Sequence, residues 1–210
     1  MKKSIYIALA AASVVLAGCA GSYSASVDYD KMAKDVIMKS FVPTGQSKME
    51  WLNQDSVNLA CTDSDVNGKD IDSALRKKVE EENMKLVKFP SDGNYFGDWK
   101  AGEKLAQSGR GGTWRDKPGA ANGGNCYNCH KISNTEISHG TLGPSLYQYG
   151  KLRGNSEAVL KYTWGKLYNA KAYNACTNMP RFGSQNILTE AQMKDLMALL
   201  LDPNSPVNKN

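Results

Sequence analysis

Cys126-Tyr127-Asn128-Cys129-His130 lies inside a stretch, Gly109 to Pro144, that is rich in Gly, Asn, Lys and Pro and shows little hydrophobic periodicity. A loop of that length needs something besides its own side chains to order it. The five residues supply a candidate. One helical turn from Cys126 to Cys129 presents two thiols to the two vinyl groups of a porphyrin, and the adjacent His130 then directs its ring at the iron, which is the attachment pattern of a single covalent haem c. Two other uses of this spacing weigh less. A zinc site wants a second pair of ligands at comparable spacing, and only His139, Cys61 and Cys176 remain, none of them paired locally. A thiol redox centre wants a strand-to-helix junction in an α/β pattern, which this sequence lacks.

The N-terminus agrees with haem attachment outside the cytoplasm. Lys2 and Lys3 precede an apolar run from Ile5 to Leu16, too short to span a bilayer and of the kind found in secretory signal peptides. Leu16-Ala17-Gly18-Cys19 is similar to the lipobox of bacterial lipoproteins, so residues 1–18 read as a leader and Cys19 as a lipid-modified mature N-terminus, with plain cleavage nearby as the alternative. The expected location is the periplasm, with a lipid on Cys19 as the route to the membrane. Losing Lys2 and Lys3 takes the 26 basic residues to 24 against 21 acidic ones, so the net charge falls from +5 to +3. That excess is too small to argue for nucleic acid.

Five cysteines are present, and two remain once Cys19 and the Cys126/Cys129 pair are set aside. In an oxidising compartment Cys61 and Cys176 most simply pair with each other, closing a loop of roughly 115 residues with a stabilisation of about 2–5 kcal/mol. Two separately buried thiols are the alternative.

The periodicity predicts helices over Tyr29–Phe41, with Met32, Val36, Ile37 and Phe41 on one side, and over Ile71–Val87, with Leu75, Val79, Met84 and Leu86 among many charges. The run from Arg76 to Glu82 reads as a solvated face. Further helices are expected over Gly97–Gln107, where Gly102 suggests close approach of another backbone, and over Ser156–Tyr168, with Ser156 as cap. Thr189 with Gln192 forms a capping-box signal ahead of an apolar stripe, Met193, Leu196, Met197, Leu199 and Leu200, that ends at Pro203. No strand alternation and no internal repeat is visible, so the fold class is all-α. Residues 19–94 read as a tether and helical extension and residues 95–205 as the haem domain.

After His130 come Gly143-Pro144-Ser145-Leu146 and later Asn178-Met179-Pro180. In this order the motifs resemble a class I cytochrome c. The resemblance implies that Pro144 lies against the His130 ring and accepts a hydrogen bond from its second nitrogen, and that Met179 is the sixth iron ligand. That bond would fix the tautomer and raise the basicity of the ligand. Residue by residue, Met179 stands outside any helical stripe and has no obvious core duty, with a core methionine, one of eight methionines in the chain, as the alternative. His139 is the competing ligand, but the short connection from His130 places it more naturally on the loop surface. A site closed by histidine and methionine passes single electrons and binds no substrate at iron.

Longer strings sharpen the likeness. Ser108-Gly109-Arg110-Gly111-Gly112, Asp116-Lys117-Pro118-Gly119, Asn122 to Tyr127, Gly140 to Tyr147 and Asn174 to Gly183 are similar to SoxX, the monohaem subunit of the SoxAX cytochrome of bacterial thiosulfate oxidation. His139, where that family carries an aromatic, and the lipobox depart from it. The resemblance implies a SoxA-type partner in a heterodimer, transient contact with a SoxYZ carrier and a soluble cytochrome acceptor, and no catalytic residue in this chain. A free-standing periplasmic carrier is the alternative. The two differ in whether an apolar patch lies near the haem edge, for which Tyr147, Tyr149, Trp164 and Tyr168 are candidates.

Overall fold

The computed structural model describes residues 27–209. The leader, Cys19 and the start of the tether lie outside the described residues. All regular structure among the described residues is helical. The chain divides into two units, residues 1–42 and 43–210.

In the first unit α1 spans Tyr29–Ser40, with Asp28 capping it by accepting from the Lys31 amide at 2.9 Å. None of its residues is buried, and Met32, Val36 and Ile37 are all exposed.

The second unit begins with a 3₁₀ turn, Met49–Leu52, and α2, Ser56–Asn67. Helix α2 carries no periodic signal in the sequence, because its apolar residues are scattered round the helix rather than aligned. Its signals are local: Asp55 accepts from the Asn58 amide at 2.8 Å, and Gly68 ends the helix in the left-handed region at φ +63°. Helix α3, Ser73–Lys85, is capped by Asp72. Of its expected apolar residues only Val79 is buried, whereas Leu75, Met84 and Leu86 are exposed. The core here takes a single turn's width from α3. Its charged face is solvated as expected, with pairs such as Lys77–Glu81 at 3.8 Å. Glu80 is the exception, since its carboxylate accepts from the Ala175 amide at 3.2 Å.

Helices α4, Trp99–Gln107, and α7, Glu190–Leu201, form the central pair. They cross at Gly102, where a Cβ would collide with the backbone of Asp195 and press on the Leu199 side chain. Thr189 and Gln192 complete the expected capping box. Between these helices run a short helix α5, Tyr149–Arg153, not expected from sequence, and α6, Glu157–Tyr168. Ser156 occupies the N-cap position of α6, but its side chain makes no capping bond. Trp164 is 1 % exposed, stacks edge-on with Tyr95 at 5.7 Å and donates to the Lys88 carbonyl at 2.8 Å. It belongs to the core with Met193, Met197, Leu199 and Val207, which corrects its candidacy for a surface patch. Tyr147, Tyr149 and Tyr168 are half-buried, and Tyr149 meets the Thr163 hydroxyl at 2.8 Å.

The aperiodic stretch 109–144 stays irregular apart from the turn at Cys126. Part of what orders it comes from the other end of the unit. Gln46 donates to the carbonyls of Lys117 (3.2 Å) and Ala120 (2.9 Å) and accepts from the Gly112 amide (2.8 Å). One amide side chain thus ties three points of the loop together, at a separation that no local pattern reveals.

Candidate functional site

Cys126–Asn128 form a 3₁₀ turn entered through Asn125 at φ +51°. The Cys129 amide donates to the Cys126 carbonyl at 3.1 Å and the His130 amide to the same carbonyl at 2.9 Å, so the motif is one closed turn with both thiols free and both residues half-buried. The Cys126 residue keeps some exposure while its sulfur is enclosed, and that enclosure pushes the thiol up to about 12. Tyr127 is buried. Its hydroxyl donates to Glu103 of α4 at 3.0 Å and meets the Ser133 hydroxyl at 3.0 Å, which locks the turn to α4. Burial raises both Tyr127 and Glu103 above their ordinary values.

Two sets of backbone bonds hold the turn in place. Upstream, Gly124 donates to Leu105 at the end of α4 (2.9 Å) and Asn125 to Ser108 (3.0 Å). Downstream, Gly140, Gly143 and Leu146 donate to Tyr127 (2.8 Å), Cys129 (2.8 Å) and Lys131 (2.7 Å), lashing the Gly-Pro segment alongside the motif. This brings the Pro144 carbonyl within 2.7 Å of His130 Nδ1. The carbonyl can only accept, so Nδ1 carries the proton and Nε2 is left with its lone pair available to a metal. Gly143 lies so close to the ring that a Cβ there would clash with Cε1, Nδ1 and Nε2. The site therefore uses the glycine for contact and the proline for its carbonyl.

Met179 sits in non-helical chain and is half-buried against the same core that Cys126, Leu146, Tyr168 and Ile187 flank. Its amide donates to the Thr177 hydroxyl at 3.2 Å. His139 is exposed, and its ring reaches only the next residue's carbonyl, at 3.2 Å. Cys61 of α2 and Cys176 are joined by a disulfide, with Cα atoms 5.4 Å apart. Arg181, two residues beyond Met179, pairs with Asp55 at 3.1 Å, a contact the sequence reading missed because only the fold brings the two together.

These residues fit a haem: two unoxidised thiols one turn apart, an imidazole with a fixed tautomer and a free Nε2, and a thioether among half-buried apolar side chains. Among the described residues no three of His, Cys, Asp or Glu converge as a metal cluster would require.

Residues 100–202 match the model of the cytochrome c family. Residues 100–202 thus form a cytochrome c family domain, consistent with the helical fold of the described residues, and its cofactor is covalently bound haem c. It is 33 % identical over 216 residues to an uncharacterized lipoprotein of Aquifex aeolicus (strain VF5), a match that spans all of both chains. Haem of this kind supplies reversible one-electron chemistry, and the side chains around it set orientation, ligation and access.

Proposed function

We propose that this chain is a monohaem electron-transfer cytochrome working outside the cytoplasm, with haem bonded to Cys126 and Cys129 and iron ligated by His130 and Met179. The observation that carries this reading is the His130–Pro144 hydrogen bond with Gly143 against the ring, an arrangement that serves to aim Nε2. In the finer reading the chain is the SoxX-type subunit of a SoxAX-like complex. A SoxA-type partner joins thiosulfate to a carrier cysteine of SoxYZ with release of two electrons, and this chain relays them singly to a soluble cytochrome. The strings Gly140 to Tyr147 and Asn174 to Gly183 support that assignment. That the Aquifex relative is a lipoprotein supports acylation at Cys19 and hence a periplasmic, membrane-tethered protein.

The test is direct. The purified protein keeps its colour after denaturing electrophoresis and weighs its chain plus one haem, whereas Cys126→Ser/Cys129→Ser leaves the denatured chain colourless. The ferric sulfur-to-iron absorption band is lost in Met179→Ala and kept in His139→Ala; the reverse pattern rules out methionine ligation. Purification from a thiosulfate-grown source recovers a second haem polypeptide at one-to-one stoichiometry, and recovery as a lone monomer replaces the subunit reading with that of a free carrier.

A further inference from the structure

Four bonds run from the helices of the extension to the segment that carries Met179, in addition to the core contacts that Met179 and Phe182 make with the cytochrome domain. From α2 and its cap come the Cys61–Cys176 disulfide, the Asp55–Arg181 ion pair at 3.1 Å and the Asn58 amide oxygen, which accepts from Lys171 Nζ at 2.7 Å. From α3 comes Glu80, which accepts from the Ala175 amide at 3.2 Å. They fall at residues 171, 175, 176 and 181, so they bracket Met179 from both sides. The segment has no helix of its own between Ala172 and Glu190; around Met179 it makes short turns, such as the Thr177 amide on the Asn174 carbonyl at 3.2 Å, and its anchorage to α6 comes only after Arg181, where the Gly183 and Ser184 amides donate to the Tyr168 carbonyl at 3.0 Å. Packing between α2 and this segment is incomplete. A cavity of about 330 Å³ opens there, walled by Cys61, Cys176 and Met179 together with polar side chains such as Gln54, Asn58 and Thr62. Where apolar contact is missing, covalent and ionic links carry the positioning.

From this we propose that the extension is a clamp on the sixth ligand: the Cys61–Cys176 disulfide, backed by Asp55–Arg181, is a positioning element that keeps the Met179 thioether seated at the haem. The proposal rests on Met179 ligation as proposed above. A bridge from residue 176 to a helix about 115 residues upstream restricts how far residue 179 can swing, so it lowers the population of the state in which the thioether has left. A ligand that binds only that open state has its apparent dissociation constant divided by the open fraction, so changing that fraction changes its affinity in proportion.

The experiment is imidazole titration of the ferric, haem-loaded protein, with the sulfur-to-iron band recorded in parallel. In Cys61→Ala/Cys176→Ala the band weakens and imidazole binds at least about tenfold more tightly, because losing a long-loop bridge frees that much motion. Asp55→Asn gives a smaller shift of the same sign, about threefold. Val207→Ala, a truncation of a fully buried core residue outside the segment, lowers thermal stability without moving imidazole affinity. If the double variant keeps the band and binds imidazole within twofold of the parent, or if Val207→Ala tightens imidazole as much, the clamp is wrong. Should the double variant fail to load haem, Asp55→Asn decides, and no shift there overturns the proposal. If the unsubstituted protein shows no sulfur-to-iron band, it is the ligation reading that fails, and the clamp with it.

Discussion

A methyl group on residue 143 would have to share space with three atoms of the His130 ring. Because Nδ1 of the same ring donates to the Pro144 carbonyl at 2.7 Å, the ring cannot retreat without stretching that hydrogen bond. Gly143→Ala is therefore expected to cost about 1–3 kcal/mol, the usual penalty of overpacking, read as a lower midpoint in denaturant unfolding together with a changed haem spectrum. Asp55 offers a second test at this scale. Burial alone would raise its carboxyl, but the Asn58 amide and the Arg181 guanidinium outweigh that and hold it below its ordinary value of 3.8. A carboxylate lowered in the folded state contributes stability that is fully present above the unfolded-state value and is lost as pH falls through the folded one. Asparagine caps a helix as well as aspartate, so Asp55→Asn isolates the ion pair. At this exposure the pair is worth about 1 kcal/mol or less, and the variant should differ from the parent above pH 3.8 and converge with it at lower pH, as followed by thermal unfolding across that range.

Among the elements, the α4–α7 crossing is the contact on which the haem domain closes. Gly102 places the Asp195 backbone where a side chain would otherwise stand. Gly102→Ala improves helix propensity by up to about 1 kcal/mol, yet it forces the helices apart at a cost of roughly 1–3 kcal/mol. The net result is a less stable protein, measured by the urea midpoint. The same crossing fixes the site, because the C-terminal half of α4 supplies both the Leu105 carbonyl that receives Gly124 and the Glu103 carboxylate that receives Tyr127. Helix α2 is an element of another kind. It contributes one buried residue, Cys61, and reaches the rest of the unit through a disulfide, an ion pair and a lysine hydrogen bond. A helix attached so sparingly by apolar contact is a natural place for a covalent tie.

For the molecule as a whole, much of the haem site was legible because it is local. The Cys126–His130 turn, the Gly143-Pro144 pair and the Thr189/Gln192 capping box each depend on a few adjacent residues whose chemistry allows few alternatives. The strongly periodic helices α4, α6 and α7 were legible for the same reason, since their stripes face one core. Helix α2 was not, as its apolar residues do not align, and α1 and α3 showed stripes that burial did not follow. What the residue order determined by itself was the class of cofactor, the turn proposed to hold it and the helical character of the fold, all consequences of spacing within a single turn or stripe. What only the tertiary structure decided was which distant groups meet: Gln46 with the 112–120 loop, Asp55 with Arg181, Glu80 with the Ala175 amide, and Gly102 with the Asp195 backbone. Those pairings depend on where the chain returns in space, and no short-range preference encodes the return.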